Sequence, residues 1–532
     1  MTETVDFVIA GGGHNSLITA AYLARAGYSC VVLDARSIPG GGAASEELLD
    51  PGYRFDSCST GHTLIQANPL LADDELRLLA DYGLVYDMPD PIAHVVLPDG
   101  SPFTSWLDLD RTVEQFARYS RTDAETYRRM IEDYGAISGL VRDASFTPPG
   151  YGTPLPTALE QHPRGGRWLR RRLMTAADVI DREFENEHVK AYLAWQAFQT
   201  AQPIDGGGTG MLAISIQAGR QKRSWTIPRG GSGALTDALV RCLDDLGVTV
   251  VCDTTVTELV LEGGSCVGVR TADGETYCAR EGVVSTIHVR HLTEMAPREA
   301  WDDDWLFGIS TYDLGLSAFA IYLETDAPPV FETEGVSQAA VSAGTVGWLR
   351  DVVQYGRDLK DGRFVTEVPW LLVATPTLVD PSRAPEGHHT VKLLSMQQPD
   401  PPEGTSWEEA KEEHAQRQLA HIRRIVPNLA EEHVVGRLVK SPRDIERGNR
   451  HMVDGSFHGG ERGIAQIGGL RPAPRWGQHR TPIPGLYQTG ATTHPGGSIT
   501  GAPGRNAARV ILDDRGSSLA EVIASRPRAV AR

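Results

Sequence analysis

Three consecutive glycines, Gly11, Gly12 and Gly13, stand between an apolar run and a helix-like stretch, and they constrain the chain more than any other feature. Residues 6–10 (DFVIA) read as a buried strand, residues 17–26 carry helical apolar spacing, and residues 30–33 read as a second strand. That order is a βαβ unit. Gly11 permits the tight turn, and Gly13 lets backbone approach a pyrophosphate, which the N–H groups at the start of the next helix attract. His14 and Asn15 follow in the same loop. Ser16 stands where a third glycine is usual, and its small side chain still allows close helix-to-strand packing. Asp34 closes the second strand, where a carboxylate accepts hydrogen bonds from the ribose hydroxyls of an adenosine. NAD and FAD share that half of the molecule. Ala35 and Arg36 lead into a second small-residue stretch, with Gly41, Gly42 and Ala43, that lets backbone run beside an extended dinucleotide, which favours FAD over NAD.

Composition removes several other functions. The 532 residues are 41% hydrophobic and 23% charged, an ordinary globular composition at a length that favours two or three domains. A net charge of −18 opposes binding to a phosphate backbone, so no nucleic-acid partner is expected. The six cysteines stand singly, which argues against zinc and dithiol redox chemistry and suits a reducing compartment. The histidine pairs His288/His291 and His388/His389 have no acid or cysteine in register, so they read as structural and no metal is expected. No stretch approaches the ~18 uncharged apolar residues of a membrane span, and residues 1–6 carry no signal core, so a cytoplasmic location is expected. Arg164, Arg167, Arg170, Arg171 and Arg172 surround Trp168, Leu169 and Leu173. That cluster reads as a solvated helix face, with peripheral contact to an anionic membrane as the alternative.

A second signature lies at 481–512 (TPIPGLYQTGATTHPGGSITGAPGRNAARVIL): a strand at 485–489, a Gly/Pro turn at Gly490 and Ala491, and a helix starting near Ser498 or Gly501. A helix N-terminus built from Gly496, Gly497, Ser498 and Ile499 would stabilise negative charge on the pyrimidine ring of a reduced flavin. Together with GGGHNSL and GGGAASEE, this motif resembles the phytoene desaturase and desaturase-like β-carotene ketolase family of FAD oxidoreductases, which includes the pyridine nucleotide-disulphide oxidoreductase domain-containing proteins. The resemblance extends to FDSCSTGH (55–62), IPRGGSGALTDAL (227–239) and LRPAP (470–474), while 66–224 and 296–440 carry little that matches.

The resemblance implies an α/β fold like that of amine oxidases and carotenoid desaturases. A discontinuous Rossmann-like FAD-binding domain at 1–65, 225–295 and 475–532 would be joined by a mixed-sheet plus helical substrate domain at 66–224 and 296–474. It also implies that the backbone of Val256 meets the adenine. Gly231, Gly233 and Thr236 imitate a second nucleotide fingerprint, but Pro228 and Arg229 stand where a buried strand should feed the turn, so these residues are assigned to the FAD domain.

For the chemistry, His494 in the flavin-facing turn and His62 after FDSCSTG are the candidate proton acceptors, each weighed against a structural role. Arg229, Arg471 and Trp476 are expected to line the substrate site. The last cysteine is Cys278, so FAD is expected to be bound without a covalent link. With no second nucleotide domain, electrons must pass to a diffusible acceptor such as oxygen or a quinone. The leading expectation is a dehydrogenase or desaturase that takes hydride from a small apolar or conjugated substrate. Its alternatives are an amine-oxidase-like reaction, a redox-neutral isomerase, and a binding or assembly protein in which FAD is structural.

Overall fold

The computed structural model describes residues 3–333 and 336–525. The glycine loop follows β1 (Glu3–Ala10) and opens α1 (His14–Arg25), which leads to β2 (Cys30–Leu33). Later segments complete the same sheet: α2 (Gly233–Asp245), β3 (Thr249–Val251), β4 (Val256–Glu262), β5 (Ser265–Thr271), β6 (Thr276–Ser285), β7 (Leu486–Gln488) and α3 (Ala502–Asp514). The strand order is β4-β5-β6-β1-β2-β3, with β7 also on β6. β6, β1, β2 and β3 run parallel, β7 is parallel to β6, and β4 and β5 form an antiparallel extension.

Both faces of β1 are covered, which explains its unbroken apolar run. Phe7 and Ile9 pack with Leu17, Leu235, Leu239 and Ile511 under the three helices, while Val8 and Ala10 pack with Val283, Leu292 and Trp305 on the other side. α1 and α3 touch at backbone distance. Thr19 Oγ1 donates to Gly504 O at 2.9 Å, Gly504 N donates to Asn15 Oδ1 at 3.2 Å, and a Cβ at Gly504 would lie 2.3 Å from Asn15 O.

The second large sheet takes its strands from 93–105 and 317–440. Its order is Val434–Lys440, Ser317–Thr325, His389–Gln397, Trp370–Ala374, Ser342–Val346, Ala93–Val96 and Pro102–Ser105. All neighbours are antiparallel except Ser342–Val346 with Ala93–Val96. Helices Arg121–Ser145, Glu187–Phe198 and Leu212–Arg223 contribute to the core beside this sheet. Trp195 and Trp370, both fully buried, lock helix to sheet: Trp195 Nε1 donates to Leu371 O at 3.1 Å and Trp370 Nε1 to Trp195 O at 3.0 Å.

Two local expectations change. The C-terminal helix starts at Ala502, capped by Gly501 in the left-handed region, so Gly496, Gly497, Ser498 and Ile499 form the turn before it rather than its first turn. Pro228 does lie in a strand, but a two-residue one paired with Tyr86–Asp87; only α2 and β3 beyond it join the nucleotide-type sheet. Among the described residues no helix is long and apolar enough to cross a membrane. Within the arginine cluster, Trp168 is buried under Arg171, which pairs with Glu183 at 2.5 Å, and Arg164 faces Asp133 at 3.6 Å.

Candidate cofactor and substrate cavity

A cavity of about 650 Å³ runs from the glycine loop of the first sheet to the second sheet and its helices. Its floor is lined by Gly11, Gly13, His14, Asn15, Asp34, Ala35, Arg36, Gly41, Gly42 and Val256, and at its other end by Gly490, Ala491, Ser498 and Ile499. The glycines are local necessities. Gly11 sits at φ +101°, and a Cβ there would come 2.3 Å from Thr286 Oγ1. A Cβ at Gly13 would meet nothing nearer than Thr286 Oγ1 at 3.9 Å, so that position opens into the cavity. Gly13 is also the N-cap of α1 and brings no capping side chain; His14 N donates to Gly40 O at 3.3 Å, and the N–H groups of Asn15 and Ser16 are left to whatever the cavity holds. The loop at 40–42 lies alongside, with Gly40 N donating to Gly12 O at 2.7 Å.

Asp34 is held from both sides. Its Oδ2 accepts from Gly12 N at 2.7 Å and its Oδ1 from Arg36 N at 2.8 Å, while burial raises its pKa above the ordinary value. Arg36 pairs with Glu46 at 2.9 Å. Around Thr286 the wall carries unpartnered polar atoms. His451 Nδ1 donates to Thr286 O at 2.8 Å and leaves Nε2 without a partner, and His288 accepts from Arg290 N at 3.3 Å and leaves its own Nε2 bare. Burial holds His14 and His451 down to about 4 and His288 well below the ordinary range, so all three are neutral at pH 7. An open helix N-terminus, a glycine-lined floor, a carboxylate at the strand end and unpaired wall groups together suit an extended, polar dinucleotide.

Three floor residues of the sequence reading act from behind. Ser16 Oγ donates to the carbonyls of Gly11 and Gly13, which fixes the loop. Ala43 is fully buried and its carbonyl accepts from Thr236 Oγ1 at 2.6 Å; Gly497 is pressed against the His458 backbone.

The proposed chemical residues lie elsewhere. His494 is not on the cavity wall; its Nε2 donates to Ala144 O at 2.8 Å, and burial takes it down to about 4. His62 is fully buried between Ser232 Oγ at 2.7 Å and Tyr86 Oη at 3.3 Å, and is pushed down to about 3. Arg229 is exposed and pairs with Asp87 at 2.7 Å. Arg471 is fully buried and spends its donors on the carbonyls of Glu461, Gly459 and Ala491; Trp476 Nε1 donates to Asp302 at 2.9 Å. None of these side chains lines the cavity, although Arg471 braces Ala491, which does.

The second sheet and its helices supply what the motifs did not reveal. Tyr134, Leu212, Ile216, Trp225, Leu372, Leu394 and Phe457 make the far wall apolar. Lys392 interrupts the apolar strand His389–Gln397; its Nζ donates to Cys58 O at 2.6 Å and Asp56 O at 3.2 Å, and burial lowers its pKa. Arg220 and Arg462 add to the charged lining. Among the described residues Asp34 is the only acid on the wall, so away from the adenosine end the cavity is basic. The signal for the helical wall was present as spacing: residues 212, 215, 216, 219 and 220 fall on one helix face. Among the described residues no group of three His, Cys, Asp or Glu could hold a metal ion.

The sequence profile described as "Flavin containing amine oxidoreductase" matches residues 17–512. The mouse pyridine nucleotide-disulfide oxidoreductase domain-containing protein 2 is 29% identical, the match covering 96% of this chain and 93% of the relative. A limonene dehydrogenase polypeptide of Castellaniella defragrans is 27% identical, covering 98% of each. Among solved structures, an oxidoreductase from Methanosarcina mazei superposes with a TM-score of 0.57 at 16% identity, covering 96% of this chain and all of that one, which is a likeness of fold.

Proposed function

The chain belongs to the flavin containing amine oxidoreductase family, and on that premise we propose that it is an FAD-dependent dehydrogenase or desaturase acting on an apolar or conjugated organic substrate. The observation that carries the reading is the cavity joining a dinucleotide-type floor to an apolar far wall. Bound FAD supplies the hydride acceptor, flavin N5.

The chain's own residues then have separable tasks. Gly13 and the α1 N-terminus hold the pyrophosphate, Asp34 takes the ribose hydroxyls, and the backbone at Val256 meets the adenine. Gly490, Ala491, Ser498 and Ile499 support the ring end. FAD is held without a covalent bond, and the acceptor that reoxidises it is diffusible, oxygen or a quinone. Tyr134, Leu212, Trp225, Leu372 and Phe457 exclude water and align the substrate. His62 and His494 lie off the cavity wall, held by Ser232, Tyr86 and Ala144, so alignment in a dry site does most of the work in this reading. A protonated amine is a poor fit because Arg220, Lys392 and Arg462 face the same space.

The test is an absorbance spectrum of the purified protein, followed by anaerobic mixing with polyenes, alcohols and amines while the flavin band is watched. Bleaching by apolar or conjugated compounds alone supports the proposal; bleaching by amines alone, or a protein without flavin, refutes it.

A further inference from the structure

We propose that the substrate of this site is an apolar acid, a hydrocarbon or polyene body ending in a carboxylate, and that Arg220 is the residue that holds the carboxylate. This rests on the dehydrogenase reading above and adds to it a polar end of the substrate.

Arg220 stands on the cavity-facing stripe of the helix Leu212–Arg223, one turn beyond Ile216. Only 7% of it is exposed. Its neighbours are neutral: Nη1 donates to Gln196 Oε1 at 2.6 Å, Nη2 donates to Gln199 Oε1 at 2.6 Å, and the guanidinium lies 5.7 Å from the Trp225 ring. Two of five N–H donors are thus spent on amides, and no carboxylate among the described residues pairs with it. Burial lowers its pKa to about 10, which still leaves it cationic at pH 7. Gln199 also lines the cavity, and because its Oε1 faces Arg220, its Nε2 points elsewhere and is buried without a partner.

A buried cation without an anion is costly, and so is an unpaired amide donor. A ligand carboxylate on the free guanidinium N–H groups would relieve the cation with charge-assisted bonds. Arg462, a half-buried cation on the wall without an acid partner, lies against Gly496 in the turn preceding α3. It therefore belongs to the flavin end, whereas Arg220 lies among the far-wall residues. The far wall also carries Leu212, Ile216, Trp225 and Leu372, which suits a hydrocarbon body. A dianionic phosphate is a worse match, because a single guanidinium and neutral amides would leave one charge unpaired.

The test is calorimetric binding of decanoic acid and geranic acid, each against its methyl ester, to the flavin-loaded protein. The acids should bind about ten- to a hundredfold more tightly than the esters. Arg220→Met should erase that preference by weakening the acids alone, and Arg220→Lys should restore part of it, with flavin content unchanged in both. Equal affinity for acid and ester in the wild-type protein, or a preference that survives Arg220→Met, overturns the assignment. If Arg220→Met fails to fold, the acid-over-ester comparison in the wild type decides. Since the readout is binding rather than flavin bleaching, an acid preference with no bleaching by any apolar compound would leave the anchor standing and sink the dehydrogenase reading. Bleaching without acid preference would do the reverse.

Discussion

The floor of the cavity presents glycine and backbone, whereas the far wall presents side chains. On the first sheet, Gly11, Gly13, Gly41, Gly42 and Gly490 meet the ligand space, and their positions follow from a turn at φ +101° or from loops laid against each other. On the second sheet and its helices, Tyr134, Arg220, Trp225, Leu372 and Lys392 meet it, each carried on a regular helix or strand or on the short loop between them. A backbone-built surface can serve one shape, an extended dinucleotide, and tolerates little change. A surface of side chains on regular elements can be altered without disturbing the scaffold. On the function proposed above, cofactor choice resides in one half and substrate choice in the other.

Filling the floor should have the largest effect. Gly13→Val adds a side chain where only Thr286 Oγ1 lies within 4 Å, so the chain should fold with the melting temperature of the flavin-stripped wild type yet lose flavin absorbance altogether. Retention of a full yellow spectrum would break the contrast at its base. Next, Trp370→Ala on the far side should cost about 3–5 kcal/mol in urea unfolding through the cavity it leaves and the lost bond to Trp195 O, while each folded chain keeps its flavin. Loss of flavin there would mean the halves are not separable.

Acid should act through buried histidines in both halves, His94 and His414 beside the second sheet included. Burial holds His14, His451 and His494 at about 4 and His62 and His479 at about 3, against about 6.5 in an unfolded chain. The unfolded state binds these protons first, so the stability they protect is complete above about pH 6.5 and is lost as pH falls toward about 4. Melting temperature should drop steadily from pH 7 to pH 5, and His62→Gln should flatten that slope by one proton, about 1.4 kcal/mol per pH unit. An unchanged slope would show that His62 is not held neutral. At the small end, Arg229→Ala breaks only an exposed pair with Asp87 and should leave flavin content, melting temperature and substrate bleaching as they were.

How much of this was legible in the sequence follows the same division. The βαβ unit, Asp34 and the return of residues near 490 to the same sheet could be read because glycine, strand and helix signals are local. The far wall could not, since its lining comes from residues as distant as Tyr134 and Phe457 that only long-range strand pairing brings together. His62 and His494 lie off the cavity wall for a related reason: a motif places a residue near a site, but the direction of its side chain depends on partners such as Ser232 and Ala144 that lie far along the chain. Arg220 was missed although its helix carried the spacing, because a cation on a stripe reads as solvent-facing until the acid that should pair with it is found to be absent.

The suture between α1 and α3 has a consequence for timing. Thr19 and Gly504 are 485 residues apart, and the floor is incomplete until they meet. At about 5–20 residues per second, a ribosome needs roughly 25–100 s to deliver the second partner after the first. Throughout that interval the glycine loop waits on an unfinished sheet, with the apolar flank of α1 uncovered. The cofactor pocket is therefore among the last parts of the chain to form, and the newborn protein depends on whatever shields that flank until synthesis reaches α3.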